Sequence, residues 1–132
     1  MKKLLNIFIL TMFLLSTGVT FSKNIEIEKV VDDYKVQVSI DKNPPVVGEN
    51  NIDVRIRNNS GDIINDAQVM VFYSMPAMPG MPAMNYNIEA KKDGSSYRAV
   101  LNLSMAGPWN IQIKFKRASE AIKNIKFSID VK

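Results

Sequence analysis

The chain has no cysteine and no histidine among its 132 residues, and it has a single tryptophan. Without cysteine there can be no disulfide, no thiolate metal site and no lipid-modified cysteine of the lipoprotein kind. Without histidine the commonest general base and the imidazole metal ligand are both missing. Nucleophilic catalysis would then need a serine with a lysine or carboxylate base, and no recognisable nucleophile motif or glycine-rich phosphate loop occurs. The expectation is a binding module rather than an enzyme. A domain of this size without disulfides must be stabilised by packing alone or by packing plus a ligand.

Net charge is also small. The formal net charge is +4, and it falls to +2 if residues 1–22, which carry Lys2 and Lys3 and no acid, are removed. Basic residues alternate with acids and amides, as in Asp53-Val54-Arg55 and Lys126-Phe127-Ser128-Ile129-Asp130, which is the pattern of a solvated face. No basic stripe with interleaved aromatics appears, so no nucleic-acid partner is expected.

The N-terminus does carry an apolar run. Lys2 and Lys3 precede Leu4 to Leu15, and the smaller, more polar Ser16 to Ser22 follow, which is the pattern of a secretory signal peptide. The run is short of the ~20 apolar residues that a spanning helix needs. Cleavage is expected after Ser22, leaving residues 23–132 as one domain in the periplasm or cell envelope. A membrane attachment would arise only if this segment stayed uncleaved.

Helical periodicity is missing from the remainder, and period-two alternation takes its place. Tyr34, Val36, Val38 and Ile40 alternate with polar residues, as do Ile52, Val54 and Ile56, and again Trp109, Ile111, Ile113 and Phe115. Further strand-like runs are Ile25 to Val31, Ala67 to Tyr73, Met84 to Ala90, Tyr97 to Leu103 and Ile122 to Val131. Turn residues separate them, so the fold expected is a single immunoglobulin-like antiparallel β-sandwich of seven to eight strands. If successive strands reverse direction, the segment Asp41 to Asn50, the loop after Tyr73 and the segment Ser104 to Pro108 share one end. Asp32, Asp33, Asp62 and Asp66 fall in turns at the other end and read as turn-formers. Trp109 reads as a core anchor whose indole N–H needs an acceptor.

The loop after Tyr73 holds the unusual chemistry. The segment MPAMPGMPAM spaces Met75, Met78, Met81 and Met84 three residues apart, with proline after the first three. A thioether is soft and uncharged, so such a site suits Cu(I) or Ag(I), whereas Zn²⁺ and Cu(II) look for imidazole, thiolate or carboxylate. As a straight polyproline II helix the segment would string its methionines at ~9 Å intervals, too far apart for three to share an ion. Pro79-Gly80 is instead a preferred centre for a type II turn, which would set Met78 against Met81 and Met75 opposite Met84. Met105 would lie at the same end as a fifth candidate. The other reading of the loop is apolar capping of the sandwich or docking of an envelope partner, a role that methionine's adaptability also suits.

The ordered set of Pro44-Pro45-Val46-Val47-Gly48-Glu49-Asn50, Asp66-Ala67-Gln68-Val69, MPAMPGMPAM, Gly94-Ser95-Ser96-Tyr97 and Leu103 to Trp109 resembles the YtkA-like domain family, related to FixH-like proteins. The resemblance covers essentially all of residues 23–132. It implies an exported or membrane-tethered β-sandwich near copper handling, with a copper-delivery or efflux component as partner. Many relatives place a histidine in or just after the methionine segment, and this chain has none. The resemblance therefore points to Cu(I) held by thioethers alone, or to a protein-protein role without metal.

Overall fold

The computed structural model describes residues 24–132, and the expected signal peptide, residues 1–22, lies outside the described residues. Each alternating run becomes a strand: β1 (Ile25–Val31), β2 (Tyr34–Ile40), β3 (Gly48–Asn58), β4 (Ala67–Met75), β5 (Met84–Asp93), β6 (Ser96–Leu103), β7 (Gly107–Arg117) and β8 (Lys123–Val131). Every pairing is antiparallel, in the order β1-β2-β3-β6-β5-β4-β7-β8.

The eight strands close on each other as two facing halves, β1-β2-β3-β6 and β5-β4-β7-β8. Strand β5 joins them unevenly. Its first part, Met84 to Ala90, pairs with β4, whereas only Lys91, Lys92 and Asp93 pair with β6. Beyond Lys91 the two strands diverge, and the sandwich opens on that side toward the methionine end.

The inward residues of the alternation form the core. Val36, Val38, Ile52, Val54 and Leu101 of one half are buried against Val71, Ile113 and Phe115 of the other. Each such side chain taken from water contributes about 1.5–3 kcal/mol, enough to dispense with disulfides.

The loops divide between the two ends as strand alternation requires. At the end away from the methionines, Tyr34 donates to Glu120 at 2.6 Å and Lys123 reaches Asp32 at 2.8 Å. Arg117 grips Asp66 with Nε to Oδ1 at 2.8 Å and Nη2 to Oδ2 at 3.2 Å. Asp32, Asp33 and Asp66 bond to neighbouring loops or strands, whereas Asp62 stays in its own turn with Asn58, whose Oδ1 accepts from the Ser60 and Asp62 amides. Tyr97 ties the β3–β4 crossover to the core, donating to the Ile64 carbonyl and accepting from the Ala67 amide, each at 3.0 Å.

At the methionine end the buried Asn50 performs a similar task. Its Nδ2 donates to the Val46 and Gly48 carbonyls at 2.7 and 3.1 Å, and its Oδ1 accepts from the Val46 amide at 3.0 Å. A buried amide left without partners would cost roughly 1–3 kcal/mol, so this residue holds the 41–50 loop in one shape.

Candidate soft-metal site at the methionine end

The methionine segment is a hairpin. Met78 and Met81 exchange backbone hydrogen bonds of 3.0 and 2.8 Å around Pro79-Gly80, and Gly80 takes φ +80° as a type II turn demands at its third position. The arms run directly into β4 and β5, where Met75 stands opposite Met84. The straight polyproline arrangement is therefore not adopted.

This hairpin sorts the candidates into two groups. Met78 and Met81 cap the tip and are each 37% exposed. Met75 is 1% exposed, and Met84 and Met105 pack half-buried against the same core. A three-residue step separates the pairs along each arm, about 10 Å if extended, so the register makes two methionine pairs rather than one group of four.

Met75 and Met84 meet the 104–107 connection. Ser104 Oγ donates to Met84 Sδ at 3.6 Å, joining residues 20 apart in sequence. Met75 Cε lies 3.2 Å from the point where a Cβ on Gly107 would stand, so glycine allows the Met75 side chain to lie against the backbone there. Met105, between these two contacts, is held by its carbonyl, which accepts from Trp109 Nε1 at 2.9 Å. The indole acceptor that the sequence called for is thus the backbone of a candidate ligand residue.

One pleat deeper stands an aromatic floor. Tyr73 pairs with Tyr86 in register, two residues inward of Met75 and Met84, and their rings stack at 5.3 Å with a 25° tilt. Trp109 lies 6.0 Å from Tyr73 and 6.1 Å from Tyr86. Tyr86 occupies an inward position yet is 40% exposed, because β6 has diverged from β5 at this level.

The electrostatics of this end are plain. Among the described residues no group of three or more histidine, cysteine, aspartate or glutamate side chains could hold a metal ion. Titratable groups that the fold perturbs lie elsewhere. The Arg117 guanidinium holds the Asp66 carboxyl below its usual range, Asp32 raises Lys123, and burial pushes the Tyr97 phenol up. A cation at the methionine end would meet thioethers and a hydroxyl, a donor set that fits a soft monovalent ion. Missing from the sequence reading were Ser104, Tyr73 and Tyr86. The alternation already placed Tyr73 inward, whereas the Ser104 contact required the tertiary fold.

Comparison with known proteins agrees with this architecture. The crystal structure of as-isolated FetP from uropathogenic Escherichia coli strain F11, expressed recombinantly in the periplasm of E. coli BL21(DE3), is similar in fold with a TM-score of 0.54. The match covers 82% of this chain and 95% of that one at 7% sequence identity. No curated protein sequence matches the chain. The model of the YtkA-like family matches residues 28–114, more than half of the length, and the chain belongs to that family.

Proposed function

We propose that this protein is an exported soft-metal binding module, a carrier or sensor of Cu(I) in envelope copper handling, that uses Met75, Met84 and Met105 as its principal ligands. The observation that carries the reading is the register of the hairpin, which sets Met75 opposite Met84 beside the Met105 loop. Met78 and Met81, paired and exposed at the tip, serve as the point of capture. Supporting the choice of ion are the lack of any imidazole or thiolate in the chain and the softness of the thioether. Membership of the YtkA-like family and the signal-peptide pattern support the exported placement, and the similar fold of FetP was produced in a periplasm. The proposal is of a binding role without catalysis, with a copper-delivery or efflux protein as the natural partner.

The second reading, a docking surface for an envelope protein without metal, is favoured by the exposure of Met78 and Met81. Anaerobic titration with Cu(I) against a competing chelator separates the two. Leucine conserves methionine's volume and apolarity, so each substitution is expected to keep the fold. Loss of tight binding in Met75→Leu, Met84→Leu and Met105→Leu, with a smaller effect in Met78→Leu and Met81→Leu, supports the proposal. Equal and negligible binding in all forms retires it in favour of docking.

A further inference from the structure

The outer face of the half β5-β4-β7-β8 carries a second pattern, unrelated to sulfur. Cross-strand register aligns Asn85, Ser74, Asn110 and Ser128 in one row, and Asn87, Phe72, Gln112 and Lys126 in the next. On β4, β7 and β8 these positions alternate with buried or half-buried ones, and Asn85 and Asn87 stand in register with Ser74 and Phe72, so all eight lie on the outer face. Six of the eight are amides or hydroxyls, and none is a carboxylate. The opposite half is built differently: its outward positions include Lys35, Asp53, Arg55 and Arg57, the charged surface expected of a solvated sheet.

The two rows, Asn87 excepted, line a cleft of about 540 Å³, whose walls also include Tyr73, Tyr86, Ile111 and Phe127. That volume lies within the usual range for small-molecule sites. Ser128 donates to Asn110 Oδ1 at 3.0 Å, which orients the amide and leaves its Nδ2 donors for a ligand. Lys114 stands 4.7 Å over the Phe72 ring and fixes its position, while Phe72 still contributes to the cleft wall.

The chemistry of this lining selects its ligand. A carboxamide offers donors and an acceptor together, and a hydroxyl does the same. A metal ion would find no carboxylate among the eight side chains, and an anion would find Lys126 as their sole cation. An apolar protein surface would find Phe72 and the exposed Tyr86 set among amides and hydroxyls. A sugar matches on every count, because each hydroxyl both donates and accepts, the molecule is neutral, and the C–H face of a pyranose ring packs on an aromatic side chain. We propose that this cleft binds a short neutral oligosaccharide, with Asn85, Asn110 and Gln112 reading hydroxyls and Phe72 supporting a ring face. The site is independent of the methionine end and stands whether or not that end binds metal.

The test is a two-dimensional ¹⁵N–¹H titration of the exported protein with the trimer of N-acetylglucosamine and, separately, with cellotriose. Saturable shifts at the side-chain amides of Asn85, Asn110 and Gln112 are expected with at least one probe. Response to the amino-sugar trimer alone would identify an acetylated wall-type glycan, and response to cellotriose a glucan; either supports the proposal. Asn110→Ala and Gln112→Ala should each weaken binding by about tenfold, the loss of one good polar contact. Both positions are on the surface, so preserved peak dispersion will verify folding, and Asn85→Ala provides a third independent position. No saturable shift with either probe would overturn the proposal. So would shifts that persist unchanged in all three variants.

Discussion

Ser104 donates its hydroxyl to the sulfur of Met84 across 3.6 Å, and by doing so occupies one lone pair of a candidate ligand. A metal approaching Met84 must use the other lone pair or displace the hydroxyl. Ser104→Ala removes the competitor while leaving the apolar packing of Met84 in place. Cu(I) affinity is expected to rise by about three- to tenfold, matching the roughly 0.5–1.5 kcal/mol of a modest hydrogen bond. Titration of the variant beside Met84→Leu provides the check, since affinity should move in opposite directions. A fall in Ser104→Ala would show that the hydroxyl positions the sulfur for binding.

Met75 and Gly107 are coupled through space and through backbone strain. Gly107 holds φ +123°, a region that side chains rarely enter, and Met75 Cε lies 3.2 Å from where an alanine methyl would sit. The methyl can push the flexible end of Met75 aside, but it cannot relieve the dihedral. Gly107→Ala is therefore expected to cost about 1–3 kcal/mol in urea unfolding. Met75→Leu alone should cost less than about 1.5 kcal/mol. A cost for Gly107→Ala that vanished in a Met75→Ala background would show that the contact, and not φ, is what matters.

The strands were legible because their signal is local. Tyr34 to Ile40 and Trp109 to Phe115 alternate without a break, and each became a strand with that same face buried. The turn at Pro79-Gly80 was legible for the same reason, since the two residues fix its dihedrals between themselves. Loop sorting followed from strand reversal alone. That turn also made the pairing of Met78 with Met81 and of Met75 with Met84 legible, whereas the burial of Met75 beside an exposed tip was not, because it depends on how far β4 and β5 continue into the loop and on where β6 leaves β5. Asn50 lay in plain view at the inward position of an alternating strand, yet its partners Val46 and Gly48 become visible only once the loop has folded back. The polar rows on the outer face likewise need the register of four strands, and no single segment announces them.

Tyr97 fastens the crossover between the two halves. Its hydroxyl serves the Ile64 carbonyl and the Ala67 amide together, and the residue is buried at 2% exposure. Tyr97→Phe keeps the ring and strands both backbone groups. A destabilisation of about 1–3 kcal/mol is expected in chemical denaturation. Cu(I) affinity should stay unchanged in the folded protein, because this contact sits at the end away from the methionines. A variant as stable as the parent would mean that water replaces the hydroxyl without loss.

The two ends should respond to pH in different ways. The hydrogen bond from Arg117 holds the Asp66 carboxyl below its ordinary range, so the unfolded chain binds a proton there more readily than the folded one. The stability this pair contributes is present above the unfolded pKa and disappears as pH falls through the lower folded pKa. Asp66 and Arg117 are substantially exposed, so the contribution is screened by salt. Tyr97 has the opposite sign. Burial raises its phenol above 10.0, so its contribution is complete below that value and lost as pH rises through the folded pKa. Asp66→Asn should therefore flatten the acid limb of the stability curve, and Tyr97→Phe the alkaline limb, in denaturation series across pH. At the methionine end the candidate ligands carry no proton to lose, so Cu(I) affinity is expected to be level between about pH 5 and pH 7. A steep fall in affinity toward acid would implicate a carboxylate and count against thioether ligation.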